Sequence, residues 1–350
     1  MSGTRRPTMA DVAAHAGVSL STVSLTYSGA GPISPDMRAR VEKAAHELGY
    51  GGPSAQARAL RSGKSRLVGL VIHERLQFAL RDPFTLRVLD ALIGDLGEMG
   101  QGVLLLPSPE SGSADASLLA TASMDAAVLM RVRDHDEPAL DILARRGLPF
   151  AVVEGTAPGA AAVTIPDRAA TADLIRHLMD LGHERIATVT LPHGSESNTA
   201  ICRDDPLSGP LWTPTRNRLA AFEDAGIEPC VVVQTRVSMV EEGITAGHLA
   251  LSHPSKPTAV VCQSDLLAGG VVLAARELGM VVPQDVSITG FDGLDLPWLA
   301  PLDLTTVSQD SAAKGHLIAQ AVKALLEGAE PPVVDMPLDI HRGNSTALAR

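Results

Sequence analysis

The sequence predicts a small all-α head followed by an α/β body of two lobes, each built on a parallel sheet. Three observations carry that expectation. Apolar residues recur at helical spacing in three short bursts, over 8–15, 19–27 and 35–48. From residue 67 the texture changes to short buried-strand runs alternating with longer helical patterns. Basic residues gather at the front of a chain whose net charge is −11. At 350 residues, with 45% hydrophobic and 20% charged side chains, there is apolar material for more than one core.

Within the head, Thr8 and Asp11 have capping-box spacing, with Asp in place of the usual Glu. Gly17 breaks the first helix and Ser19 caps a second, "LSTVSLTYS". In that helix Val23 faces inward, while Leu20, Ser21, Ser24 and Leu25 face elsewhere. Ser34 followed by Pro35 opens a third helix, which Gly49 ends. After "GYGGP" comes "SAQARALRSGKSR", alanine-rich but poor in apolar surface and too short to hold a helix alone in water. It must fold against something.

In the body the expected strands are "RLVGLVI", "GVLLLP", "AAVLMRV", "PFAVVE", "AAVTI", "RIATVT", "PCVVVQ", "TAVVCQ" and "VSITGF". Helices fit at 84–98, 113–122, 138–146, 168–181, 215–225, 239–252, 265–278 and 308–327. So many βα units exceed one small sheet, which divides the body near 165, with the chain crossing back after 290. The stretch "LPHGSESNTAICRDDPLSGPLWTPT" reads as a long, turn-rich loop.

Several function classes are disfavoured. The longest apolar runs fall short of the roughly 18 residues a membrane span needs, and the N-terminus has no secretory pattern, so a cytoplasmic protein is expected. Cys202, Cys230 and Cys262 are widely spaced, with neither a CxxC pair nor a His cluster, which predicts reduced thiols and no metal. No nucleophile–base pair, phosphate loop or cofactor motif stands out, and neither an enzyme nor a bound cofactor is expected. Residues 1–66 hold nine Lys and Arg against four acids, a net +5, whereas the rest holds 20 bases against 36 acids. A basic head on an acidic body fits a DNA-binding module joined to a domain that must not adhere to DNA.

With those residues in view, the chain resembles the LacI/GalR family of transcription regulators along essentially its whole length. "TMADVAAHAGVSLSTVSLTYSG" is similar to that family's helix-turn-helix, "SPDMRARVEKAAHELGY" to its third helix and "PSAQARALRSGKSRLVGLVI" to its hinge and first core strand. "DLGHERIATV", "PTAVVCQSDLLAGG", "VPQDVSITGFDGLD", "LDLTTVSQD" and "HRGNST" follow in the order of a periplasmic-binding-protein-like core. The resemblance implies a DNA-binding domain over 1–51, a hinge over 52–65 and an effector-binding and dimerisation core over 66–350. The lobes would be roughly 66–165 with 300–325, and 166–299 with 326–350. It places Leu20, Ser21 and Leu25 at base-reading positions and Thr8, Ser19, Thr22, Ser24, Ser28 and Ser34 at phosphates. In the hinge, Leu60 would wedge into the minor groove and Ala57 would let the backbone approach. Where the family usually has Arg this chain has Leu25, and Leu20 stands where a polar residue is common; neither makes the bidentate bond to guanine.

Two lobes leave a cleft at the strand ends, where α/β sheets bind ligands. By motif, Asp82 and Phe84 belong to its first side, and Asp265 and Asp292 to its second. Carboxylates there accept from sugar or nucleoside hydroxyls, and Phe84 or Trp298 offers a ring for stacking. Asp265 also suits the first turn of a helix, where the dipole favours an acid. The family's pocket Arg falls on Arg218 by "RLAAF", or on Pro214 by ungapped spacing. Pro166 replaces a common Asp, and about four extra residues precede "DPF". The expected protein is a homodimeric repressor of a palindromic double-stranded operator, controlled by a sugar or related metabolite. The competing expectation is a solute-binding sensor whose DNA binding has degenerated.

Overall fold

The computed structural model describes residues 7–29, 31–53, 62–108, 117–133, 137–194 and 198–350. The chain forms two compact units, Met1–Arg66 and Leu67–Arg350.

Three helices make the head: α1 (Met9–Ala16), α2 (Leu20–Ser28) and α3 (Pro35–Leu48). Each starts at a hydroxyl and stops at a left-handed glycine. Thr8, Ser19 and Ser34 accept from the backbone N–H three residues on, and Asp11 completes the box by accepting from Thr8 N–H. Gly17, Gly29 and Gly49 close the helices at φ +64°, +65° and +67°, a conformation that costs glycine little. Val12, Ala13, Ala16, Val23, Val41, Ala44 and Ala45 form the core, with Tyr27 edge-on to Tyr50 at 5.8 Å. Arg40 fastens α3 to the end of α1 by donating to the Ala16 carbonyl at 2.7 Å.

The body has two sheets. The first is wholly parallel, in the order β12 (Val333–Asp335), β5 (Ala161–Thr164), β4 (Phe150–Val153), β3 (Ala126–Leu129), β1 (Leu67–Ile72), β2 (Gly102–Pro107). The second runs β13 (Asp339–His341), β11 (Thr305–Ser308), β10 (Ser287–Asp292), β9 (Ala259–Cys262), β6 (Ile186–Thr190), β8 (Val231–Gln234), β7 (Ala200–Ile201). There only the edge strands β13 and β7 are antiparallel to their neighbours. All nine strands read from the sequence are present, and central ones such as β3, β4 and β9 are buried along their whole length because helices cover both faces of a parallel sheet.

A one-turn α4 (Leu76–Ala79) precedes α5 (Pro83–Glu98), and α6 (Leu118–Thr121) and α7 (Pro138–Arg146) follow in the first lobe. The second lobe carries α8 (Asp167–Asp180), α9 (Thr213–Ala225), α10 (Val240–Leu251) and α11 (Asp265–Glu277). Helix α12 (Ser311–Leu326) returns to the first lobe, packing with α5 around Leu92, Ile318 and Val322. The expected assignment of the tail needs correction. Residues 300–325 were expected in the first lobe, but β11 pairs with β10 in the second; 326–350 were expected in the second, but β12 pairs with β5 in the first. The chain thus passes between the lobes near 165, 309–310 and 336–338.

Candidate functional site

The parallel strands of both lobes end at one cleft. His73 and Glu74 follow β1, Arg131 lies just beyond β3 and Glu154 just beyond β4, while β10 ends on Asp292 and α12 contributes Lys314. Asp82 caps α5, accepting from Phe84 N–H at 3.0 Å and from the Thr85 hydroxyl at 2.8 Å. Phe84 forms part of the wall, and the Lys314 ammonium sits 5.1 Å from its ring centre.

Buried charge is organised as a chain across both lobes. Lys314 donates to Glu154 and, at 2.5 Å, to the Gln309 side chain, whose amide donates to Asp292 at 2.7 Å. Arg218 lies flat on Phe291 at 3.5 Å, donates to the Gln263 carbonyl at 2.6 Å, and faces Asp167 at 3.7 Å and Glu154 at 4.0 Å. Burial opposes a charge on Glu154, but Lys314 and Arg218 beside it hold its carboxyl at about 2. Asp292 goes the other way: burial, then the neighbouring Asp265, Asp82 and Glu154, push it well up despite Arg218. Its backbone, at φ +118°, is strained for a residue with a Cβ. Burial also raises Asp82, and it raises Asp167 to about 6.

The lobes touch around this cleft. Thr213 N–H and its hydroxyl both donate to the Val132 carbonyl, at 3.1 and 3.0 Å, and Trp212 bridges Arg133. Trp212 meets the edge of His73 at 4.9 Å. The extra residues before "DPF" form α4, whose Phe78 lies under Arg236, and Arg81 just after it pairs with Glu241 at 2.5 Å. These two contacts join the lobes beside α4.

Of the six residues expected to bind an effector, the fold brings Asp82, Phe84, Arg218 and Asp292 to the cleft. Pro214 does not line it; the buried guanidinium belongs to Arg218. Asp265 and Trp298 also stand apart. Asp265 is fully buried behind β10, accepting from Leu294 N–H and the Thr306 hydroxyl, both at 2.6 Å, and burial pushes it to about 7. Trp298, 45% exposed, rests over Gly269 of α11. Among the described residues no group of His, Cys, Asp and Glu is placed to hold a metal.

In the head, Leu20 and Ser21 are exposed at the start of α2, and Leu25 is half-buried against Gly31. Ser19 is bonded through its hydroxyl to Ser21 at 2.7 Å and to Thr22 at 2.8 Å, so three hydroxyls converge on one helix N-terminus. Thr8 and Ser34 cap α1 and α3, and Ser24 and Ser28 continue the outward side of α2. Ala57 and Leu60 lie outside the described residues.

Comparison with known proteins decides the family. Residues 8–52 match the bacterial regulatory proteins of the lacI family, and residues 175–346 match a periplasmic binding protein-like domain. An HTH-type transcriptional regulator of Mycolicibacterium smegmatis is 33% identical, over 98% of this chain and 97% of its own. The chain belongs to the lacI family. Another relative, the HTH-type transcriptional repressor PurR of Yersinia enterocolitica, is 31% identical over 88% of this chain and 87% of its own. The crystal structure of a LacI family regulator from Corynebacterium glutamicum superposes with a TM-score of 0.72 at 26% identity, covering 98% of this chain and all of that one. This lacI-family chain is a DNA-binding transcriptional regulator.

In this lacI-family cleft sequence reasoning missed Glu154, Lys314 and Arg131, and beside it Gln309 and Asp167, which bond to or face the lining residues. Each is a single charged or amide residue at a strand end or first helical turn. The one available signal was the departure at Pro166, where the acid is displaced by one residue to Asp167 and meets Arg218.

Proposed function

We propose that this regulator is a repressor that grips a two-fold-related operator as a homodimer, and that a neutral, hydroxyl-rich metabolite of sugar size in the cleft sets its operator affinity. The observation that carries this is the pairing of charge in the lining. Lys314 and Arg218 are matched by Glu154 and Asp167, and Arg131 lies 3.6 Å from Glu74. Asp82 and Asp292 remain as acceptors without an ion pair among the described residues, one on each lobe. A ligand rich in hydroxyls bonds to these carboxyls and to Arg131, while a phosphorylated ligand brings added negative charge against Glu74. Phe84 gives an apolar ring for the face of a sugar.

On the DNA side, the domain takes 1–51 as the head, 52–65 as the hinge with Ala57 and Leu60 at the minor groove, and 66–350 as the core. Ser19 and Thr22, at the positive end of α2, suit phosphate oxygens, with Thr8, Ser24, Ser28 and Ser34 extending the same backbone contact, while Leu20, Ser21 and Leu25 face the bases. One short helix makes too few contacts, and a dimer supplies two half-sites. A ligand shifts operator affinity only by its preference for one arrangement of the lobes. The test pairs a thermal-shift screen of sugars and nucleosides with selection of duplexes from a random pool. We expect a neutral sugar to raise Tm, Asp292→Ala to lose that rise, and the selected duplex to lose affinity steeply with salt. A protein that binds sugar but enriches no duplex is a sensor, and the repressor reading then fails.

A further inference from the structure

Helix α2 is an unusual reader because of what it lacks. Its nine residues, LSTVSLTYS, include no Arg, Lys, His, Asn, Gln, Asp or Glu. Val23 and Thr26 face the core, leaving Leu20, Ser21, Ser24, Leu25 and Ser28 as one outward stripe. Bidentate recognition of guanine needs Arg or Lys, that of adenine needs Asn or Gln, and acceptance from cytosine needs an acid. None stands on this helix. Serine hydroxyls bond to any base and so discriminate weakly; those of Ser19, Ser21 and Thr22 already bond to one another. Nor does α3 lend an arginine readily, since Arg38 and Arg40 donate to the carbonyls of Thr26 and Ala16.

What remains is apolar. Leu20 is 52% exposed at the N-terminal end of the helix, the end that meets base edges in a helix-turn-helix, and Leu25 lies five residues further on. In the major groove the one apolar feature that distinguishes a base is the thymine 5-methyl. We propose that α2 reads thymine methyl groups through Leu20 and Leu25, so that operator identity in the major groove is set by the placement of thymines. This rests on the DNA-binding reading of the head. It gives the two leucines a recognition role without invoking any polar contact.

The test starts from the duplex that the full-length protein selects from a random pool. That duplex is resynthesised with single deoxyuridines for thymidines, which removes only the methyl, and separately with 7-deazaguanine, which removes the major-groove N7 acceptor. Deoxyuridine should weaken binding about fourfold at one or two positions in each half-site, the worth of one buried methyl, and 7-deazaguanine should have no effect. Leu20→Ala, an exposed position that does not endanger the fold, should abolish the deoxyuridine effect at one position and keep it at the other. Uniform tolerance of deoxyuridine, a loss with 7-deazaguanine, or a deoxyuridine effect unchanged in Leu20→Ala overturns the proposal. If the pool yields no duplex, the DNA-binding reading has failed with it.

Discussion

Lys314 shows how much of the cleft depends on one side chain. It is 1% exposed, and its ammonium holds Glu154 and Gln309 in place. Replacing it with methionine keeps the volume but leaves the Glu154 carboxylate buried without its nearest cation, with Arg218 at 4.0 Å and the weaker influence of Arg131. Removing one partner of a buried pair costs about 3 kcal/mol, so Lys314→Met should lower stability in denaturant titration by that order. Adding Glu154→Gln should recover part of the loss, because the stranded charge is gone; strictly additive losses would sink the coupling. At this scale the site was half legible. Asp82, Phe84 and Asp292 stand in the short motifs "DPF" and "GFDG", and Arg218 in "RLAAF". Glu154 and Lys314 meet across 160 residues, in surroundings where neither has a local pattern. Asp265 misled because an acid in the first turn of a helix looks the same whether it faces a ligand or, as here, the Thr306 hydroxyl.

Elements pack closely where glycine allows it. In the contact of α10 with α11, a Cβ on Gly270 would sit 2.3 Å from the Val240 carbonyl and 2.6 Å from Gly243 Cα, with no flexible atom to yield. Gly94 of α5 is exposed and has nothing near its missing Cβ. Gly270→Ala should therefore cost about 1–3 kcal/mol by overpacking. Gly94→Ala should stabilise by roughly 0.5–1 kcal/mol, through helix propensity alone. Thermal unfolding of the two variants should move in opposite directions, and a common direction would refute the packing argument. The same logic explains which elements could be read from the sequence. Strands such as "AVVC" of β9, buried on both faces, announce themselves as apolar runs. The edge strands β12 and β13, "VVD" and "DIH", alternate with exposed positions and are three residues long, too little for a pattern. Missing β12, together with β11 on the other side of α12, is what misplaced parts of the C-terminal tail: β11 lies in the second sheet and β12 in the first.

Across the whole body, the buried ionisable groups pull stability in two directions with pH. Burial raises Asp265 to about 7, Asp167 to about 6, and Asp292 and Asp82 in the same sense. A carboxyl raised on folding is protonated more readily in the native state, so its stabilisation is present at low pH and is lost as pH climbs through the native value. Histidines do the reverse: burial lowers His193 to about 4 and also lowers His183 and His177. Each resists charging in the folded state, so stability is lost as pH falls below the ordinary histidine value toward the native one. Glu154, held at about 2, contributes above the ordinary glutamate value and weakens only in strong acid. Between pH 8 and about 6.5 the carboxyls act alone and stability should rise on acidification. Below that the histidines oppose them, and in stronger acid Glu154 also gives way. Tm should therefore be higher at pH 6 than at pH 8, each kcal/mol moving it by about 2–4 °C. His193→Gln should extend the rise to lower pH, since it removes the most strongly lowered of the three histidines. A Tm that climbs steadily from pH 4 to pH 8 would mean that these carboxyls are ionised and solvated in the native protein, and the charge chain through Asp292, Gln309, Lys314 and Glu154 would then not be closed to water.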